Sequence, residues 1–336
     1  MAKALVVCGA TASGKTALAV ACAKKLNTEI ISADSLLVYR GLNIGTAKPS
    51  IEEMQGVKHH LIDVASPLDN FSVSDYEKLA LPIVERLLSE GKTPIICGGT
   101  GFYINSLLYK SQFGNVGANE EIRVRYEKIL EEKGAEYLHE LLKAVDEESA
   151  EKLHKNDTKR VIRALEIYEV TGKKKSEQQD EPVPRFDFVC VSIDYPREDL
   201  YARIEKRVDI MFEQGLKEEV LSLFEQGVLE ENQCMQGIGY KEIAEGLRLG
   251  LPEEEIKELI KKNTRNYAKR QITFFKRAQN HFLLSPENAT VENVLALLDN
   301  LVILRKIRPT ICKNRCICKY HDVLEFLHYQ IFRLRL

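Results

Sequence analysis

Apolar runs and charged, periodic stretches alternate along the first hundred residues. Residues 3–8 are apolar and rich in β-branched side chains, and a glycine-containing loop and the helix-like stretch Thr16–Leu26 follow. A second apolar run, Glu29–Ser32, ends at Asp34-Ser35. Residues Asp75–Ser89 carry Leu79, Ile83 and Leu87 at helical spacing, and Pro94–Cys97 is a short strand stopped by Gly98-Gly99-Thr100-Gly101. Strands that are apolar throughout and alternate with helices predict a parallel sheet covered on both faces.

From about residue 117 to 182 the strand signals vanish. Glu120–Lys133, Ala135–Val145 and Thr158–Val170 have helical periodicity and many charges. Phe186–Ile193 reads as a strand again, so the helical block interrupts an α/β core. Long helices are expected at roughly 197–226 and 253–280. The expected organisation is a first core segment (1–116), a helical insertion (117–182), a returning core segment (183–300) and a basic, cysteine-containing tail (301–336).

Composition adds little to this picture. The chain is 44% hydrophobic and 29% charged, an ordinary globular balance. No apolar run reaches the roughly 18–20 residues of a membrane span, and residues 4–8 are too short for a signal-peptide core. A cytoplasmic monomer is expected. Cys8, Cys22, Cys97, Cys190 and Cys234 sit singly in apolar or helical contexts, as reduced thiols do. A net charge of −2 gives no global sign of nucleic-acid binding, so any RNA contact must come from local patches.

The chemistry begins at Gly9-Ala10-Thr11-Ala12-Ser13-Gly14-Lys15-Thr16, a phosphate-binding loop between a strand and a helix. Its glycines let several backbone N–H groups converge on one oxyanion cluster, and the helix N-terminus adds positive partial charge. Lys15 supplies a mobile cation, and Thr16 can place a hydroxyl on Mg²⁺. Kinases and NTPases with such loops usually hold Mg²⁺ with an acid at the end of a core strand. Here the clearest later strand ends in Gly98-Gly99-Thr100, and Asp63 is the only substitute. Asp34 follows the second strand and so belongs at the carboxyl end of the sheet. A carboxylate there can take a proton from a nucleophile attacking a bound diphosphate ester. A turn or helix-capping aspartate is the plain alternative.

With these residues in view, the chain resembles the tRNA dimethylallyltransferases (tRNA isopentenyltransferases). The matching stretches are Gly9–Thr16, Ile31–Ser35, Tyr39–Pro49, His59–Asp63, Phe71–Tyr76, Gly98–Tyr103, Asn156–Glu166, Gly237–Tyr240 and Ala268–Thr273. They occur in the family's order over roughly residues 3–290. The resemblance implies a P-loop-type core with a helical insertion and a through-channel. The adenosine enters one end and dimethylallyl diphosphate the other. By matching position it makes Asp34 the general base for the exocyclic amine and Thr100 its hydrogen-bonding partner beside the base. Thr11–Thr16 become the diphosphate cradle, with Thr16 beside Mg²⁺, and Arg207 becomes the arginine stabilising departing pyrophosphate.

The same resemblance places Lys159, Arg160 and Arg163 against tRNA phosphates, and Arg123 at a tRNA-facing position. It sets Asp34, Ser35, Leu36 and Leu37, together with the Gln236–Lys241 stretch (Gln236, Gly239, Lys241), around the entering base and its loop. Without it, the pair Arg203 and Arg207, four apart on a helix, and the basic triplet opposite Val161, Leu165 and Tyr168 both read as solvated faces. Beyond about residue 300 the resemblance stops. Cys312, Cys316, Cys318 and His321 do not fit a Cys-x2-Cys…His finger. A loosely ordered basic tail is expected, with eight Lys/Arg against three acids between Asp299 and Leu336. His59 and His60 are expected to be structural. Two other functions compete: an ATP-dependent small-molecule kinase, and a nucleotide-switched RNA-binding protein that performs no transfer.

Overall fold

A computed structural model describes residues 3–110, 119–177, 183–300 and 317–319. The chain divides into two compact units, Met1–Leu108 with Arg185–Leu336, and Tyr109–Pro184.

The first unit opens with β1 (Lys3–Cys8), α1 (Lys15–Leu26), β2 (Ile30–Ser32), α2 (Ile51–Met54), β3 (His59–His60), α3 (Val73–Ser89), β4 (Ile95–Gly98) and α4 (Gly101–Leu108). The second unit holds α5 (Glu120–Val145), α6 (Glu147–Lys152) and α7 (Thr158–Thr171). The first unit then resumes with β5 (Asp187–Ile193), α8 (Arg197–Glu213), α9 (Leu216–Glu225), α10 (Tyr240–Leu249), α11 (Glu253–Phe275), β6 (His281–Leu284), α12 (Val291–Asp299) and β7 (Ile317–Lys319).

Among the described residues seven strands form one parallel sheet, in the order β3-β2-β4-β1-β5-β6-β7. The central strand β1 is buried from Ala4 to Cys8, and α1 covers it with Leu18, Ala19, Val20, Cys22 and Ala23. Burying that much aliphatic surface on both faces explains why the strands carry no polar alternation. Strand β4 lies between β1 and β2, so the loops after β1, β4 and β2 emerge side by side at the carboxyl edge.

Several sequence expectations shift in detail. The helix expected over 197–226 is broken at Gly215, whose φ of 94° leaves the helical region, so α8 and α9 are separate. The helix expected to reach 280 ends at Phe275. In the second unit, Gly134 (φ 81°, ψ 170°) kinks α5 where the two sequence segments meet. A short helix, α6, follows, its N-terminus capped by Asp146 at Ser149 N–H, 3.1 Å. In the expected tail, residues 317–319 form a short strand paired in parallel with β6. Cys312, Cys316 and His321 lie outside the described residues.

Candidate active site at the carboxyl edge of the sheet

The glycine-containing loop Gly9–Thr16 runs from the end of β1 into α1. Its curl needs three left-handed positions, Gly9 (φ 120°), Ala12 (φ 61°) and Gly14 (φ 83°). Gly9 is required twice over, since a Cβ there would meet Ser192 Oγ at 2.9 Å. Within the loop, Ser13 Oγ donates to Ala10 O at 2.8 Å and Lys15 Nζ donates to the same carbonyl at 2.5 Å. Gln271 of α11 accepts from Thr11 N–H (2.8 Å) and donates to Gly99 O (3.1 Å), tying this loop to the one after β4. Arg203 donates to Ala12 O at 2.8 Å. Thr16 is exposed in the first turn of α1.

Asp34 stands at the end of β2. A Cβ on Gly98 would lie 2.1 Å from Ala33 O, so only glycine lets the two strand ends close up. Thr100 N–H then donates to Ala33 O at 3.0 Å. The Asp34 carboxylate accepts from Leu36 N–H (2.9 Å) and Leu37 N–H (3.4 Å) through Oδ1. Asp34 therefore does form a turn, as the plain alternative held. Its Oδ2 takes no hydrogen bond among the described residues, and the residue lines a cavity. The Thr100 hydroxyl accepts from Ser35 N–H at 3.0 Å and donates to Ser35 Oγ at 3.3 Å, so it braces the segment that follows Asp34.

That cavity, of about 380 Å³, is lined by Thr11, Asp34, Ser35, Leu36, Thr46, Arg207, Gln236, Gly239, Tyr267 and Arg270, among others. Leu37 does not line it. A second cavity of about 880 Å³ takes in Ala12, Gly14, Lys48, Arg203, Lys206 and Arg207. Both arginines of the α8 pair thus reach the second cavity, and Arg207 reaches both, while donating to Thr46 O at 3.3 Å. Lys241 lines a third cavity of about 470 Å³ that shares Gln236, Ile238 and Arg270 with the first.

The electrostatics match this crowding. Burial pushes the Arg207 pKa down, and the charges of Asp34 and Glu53 pull it back up. Burial likewise lowers Lys15, with Arg207 adding to the shift while Cys97 and Asp34 oppose it. Burial and the Asp34 charge push the Tyr267 phenol up to about 12, while Thr100 and Gln271 hold it down. Lys15 and Arg207 thus lie in each other's field and in that of Asp34, with Glu53 also acting on Arg207.

Among the described residues, no group of three His, Cys, Asp or Glu side chains could hold a metal ion. The exposed Thr16 hydroxyl still suits Mg²⁺, which keeps water ligands and binds through substrate phosphates rather than in an all-protein cage. His59 and His60, expected to be structural, each have one ring nitrogen engaged within the fold. His59 Nδ1 lies 2.9 Å from Val57 O, and His60 Nε2 lies 2.5 Å from Glu29 Oε2.

A family model described as IPP transferase matches residues 37–278, well over half of the chain. The chain belongs to the IPP transferase family. It is 48% identical to a tRNA dimethylallyltransferase of Acetivibrio thermocellus over 84% of this chain and 91% of that protein. The corresponding protein of Caldanaerobacter subterraneus is 47% identical over 81% and 88%. Among solved structures, the full-length tRNA isopentenylpyrophosphate transferase of Bacillus halodurans superposes with a TM-score of 0.68 at 37% identity, covering 92% of this chain and 99% of that one. A eukaryotic dimethylallyltransferase crystallised acting on tRNA gives 0.75 at 30% identity, covering 95% and 82%.

Within the helical unit, the basic residues of this family member are not equivalent. Lys159 and Arg160 are exposed, Arg160 pairing with Asp157 at 3.2 Å. Arg163 is half-buried on Glu166, a fully buried carboxylate (2.5 Å). Arg123 meets the same carboxylate through Nε (3.0 Å) and Nη2 (3.1 Å), and Asn119 N–H adds a bond at 2.7 Å. Burial would raise the Glu166 pKa, but the hydrogen bonds from Arg123 and Arg163 prevail and lower it.

Sequence reasoning missed three residues that shape the site. Gln271 is one. Another is Glu219, which accepts from Asn43, Ile44 and Gly45 N–H (2.9, 2.8 and 3.1 Å) and from the Tyr240 hydroxyl (2.6 Å). It shapes the loop whose Thr46 carbonyl meets Arg207. The third is Lys48, paired with Asp63 and donating to Tyr39 O at 3.1 Å. That pairing ties up the one acid that stood in for an NTPase aspartate. Lys48 and Gln271 lie inside stretches that match the family, a signal for importance but not for role.

Proposed function

We propose that this chain transfers a dimethylallyl group from dimethylallyl diphosphate to the exocyclic amine of the adenosine 3′ of the tRNA anticodon, releasing pyrophosphate. The observation that carries this reading is the meeting of Asp34, the phosphate loop and Arg207 around two adjoining cavities. Family membership narrows the chemistry to prenyl transfer.

The adenosine occupies the cavity in front of Asp34, and the diphosphate lies toward Ala12, Gly14, Lys15 and Arg203. As the donor C1–O bond breaks, its electron pair leaves with the diphosphate, and the adenine nitrogen forms the new bond to C1. Lys15, the loop amides and Arg207 face the charge that grows on the leaving oxygen, where preorganised donors act most strongly. Mg²⁺ held by Thr16 and the diphosphate oxygens would neutralise part of the same charge. The Asp34 Oδ2 takes the amine proton, while Leu36 N–H keeps the carboxylate oriented. General-base help of this kind is worth about 10²–10⁴-fold. ATP is not consumed, because the loop holds a leaving group rather than a fuel.

Lys159 and Arg160, exposed on α7, supply phosphate contacts to tRNA, and Gln236 and Lys241 line the cavities around the entering loop. We take a cytoplasmic monomer as the working unit. Deleting the gene should abolish dimethylallyl-adenosine from cellular tRNA, and the wild-type chain, but not Asp34→Asn, should restore it. Persistence of the modified base in the deletion strain would refute the proposal.

A further inference from the structure

The two cavities beside the phosphate loop share two lining residues, Arg207 and Met211. These stand four apart on α8, so they occupy the same helix face. Met211 is 8% exposed and offers only an apolar, flexible thioether. Beyond it, on the Asp34 side, the wall continues with Ile204, Val208 and Ile260, all buried and apolar.

A donor with its diphosphate toward Ala12, Gly14 and Arg203 must present its reacting carbon to a nucleophile held at Asp34, on the other side. It therefore passes the two residues common to both cavities, Arg207 toward its charged end and Met211 toward its carbon chain. Cavities of about 380 and 880 Å³ both have room for more than five carbons, so neither limits chain length by volume alone. The shared residues do.

We propose that Met211 sets the length of the prenyl chain this transferase accepts, its thioether occupying the space a second isoprene unit would need. The inference rests on the transfer reaction proposed above. A methionine suits the task because its unbranched side chain fills an irregular gap against a short, branched tail. Truncating it leaves the phosphate loop, Asp34 and Arg207 in place.

The test compares kcat/KM for dimethylallyl and geranyl diphosphate, with one tRNA, in the wild type and in Met211→Ala, Met211→Leu and Met211→Phe. Opening an apolar pocket by more than a methylene should raise the geranyl-to-dimethylallyl ratio at least about tenfold in Met211→Ala. Met211→Leu, close in volume, should keep the wild-type ratio. Met211→Phe should raise KM for dimethylallyl diphosphate while KM for tRNA stays put. Met211→Val repeats the test should the alanine variant fail to fold. An unchanged ratio in the truncated variants, with the wild type transferring dimethylallyl normally, would overturn the inference. A wild type that transfers neither donor would instead overturn the reaction it rests on.

Discussion

Replacing Asp34 by asparagine separates its two jobs. Oδ1 accepts from Leu36 and Leu37 N–H, and an asparagine oxygen can keep both bonds. What asparagine cannot do is take a proton at the other position. Asp34→Asn should therefore leave stability within about 1 kcal/mol, since a neutral acceptor replaces a charged one in a partly exposed turn. Single-turnover transfer at saturating tRNA and donor should fall by about 10²–10⁴-fold. Donor affinity should hold or tighten, because Lys15 and Arg207 lose a carboxylate that competes for them. Asp34→Ala should show the same rate loss plus about 1–3 kcal/mol of destabilisation from the orphaned N–H groups. The assay pairs rapid-quench kinetics with urea unfolding. An asparagine variant with a near-normal rate would leave Asp34 as a turn residue and nothing more.

The other predictions use the same separation of roles. Arg207→Ala should slow single-turnover chemistry with tRNA affinity unchanged, whereas the double substitution Lys159→Ala, Arg160→Ala should weaken tRNA binding and flatten its salt slope by about one to two units; an unchanged slope would make that face merely solvated. Glu166 has a lowered folded pKa, so its contribution is present above the ordinary carboxyl range near pH ~4.3 and is lost as pH falls through the folded value. Acid titration of unfolding should show that loss in the wild type and not in Glu166→Gln, and Arg163→Ala should cost about 2–3 kcal/mol, less than a fully buried broken pair because Arg123 remains. Glu219→Ala strips the acceptor from three N–H groups and a tyrosine, so kcat/KM should fall with little change in tRNA affinity, and a wild-type kcat/KM would detach the 43–46 loop from catalysis.

The sequence carried the parts of this site that local chemistry specifies. Two glycines with four residues between them, the second before Lys-Thr, after an apolar run, describe a phosphate loop wherever they occur. The position of Asp34 after a strand was enough to place it at the carboxyl edge. Strand order was not legible, and it is β4 between β1 and β2 that brings Thr100 beside Asp34. Nor was Gln271, which bonds a backbone N–H 260 positions away, since no periodicity records a contact of that separation. The expected helix over 197–226 failed because Leu216, Val220 and Leu223 continue the apolar spacing, while one glycine at φ 94° turns the chain. The resemblance sets Arg123 and Arg163 at tRNA-facing positions, but that both hold Glu166 was not legible, because a buried glutamate cannot be told from an exposed one in a charged helix. Their shared partner gives them a structural task.

The most direct test of the whole account is a stoichiometry. The purified chain is incubated with tRNA, dimethylallyl diphosphate and Mg²⁺ in the absence of ATP, and the digested tRNA is read by mass spectrometry alongside released pyrophosphate. A single dimethylallyl adduct on the adenosine 3′ of the anticodon is expected, with pyrophosphate released in equal amount and inhibiting competitively against the donor. An absolute requirement for ATP, or pyrophosphate release without an adduct on that adenosine, would contradict it.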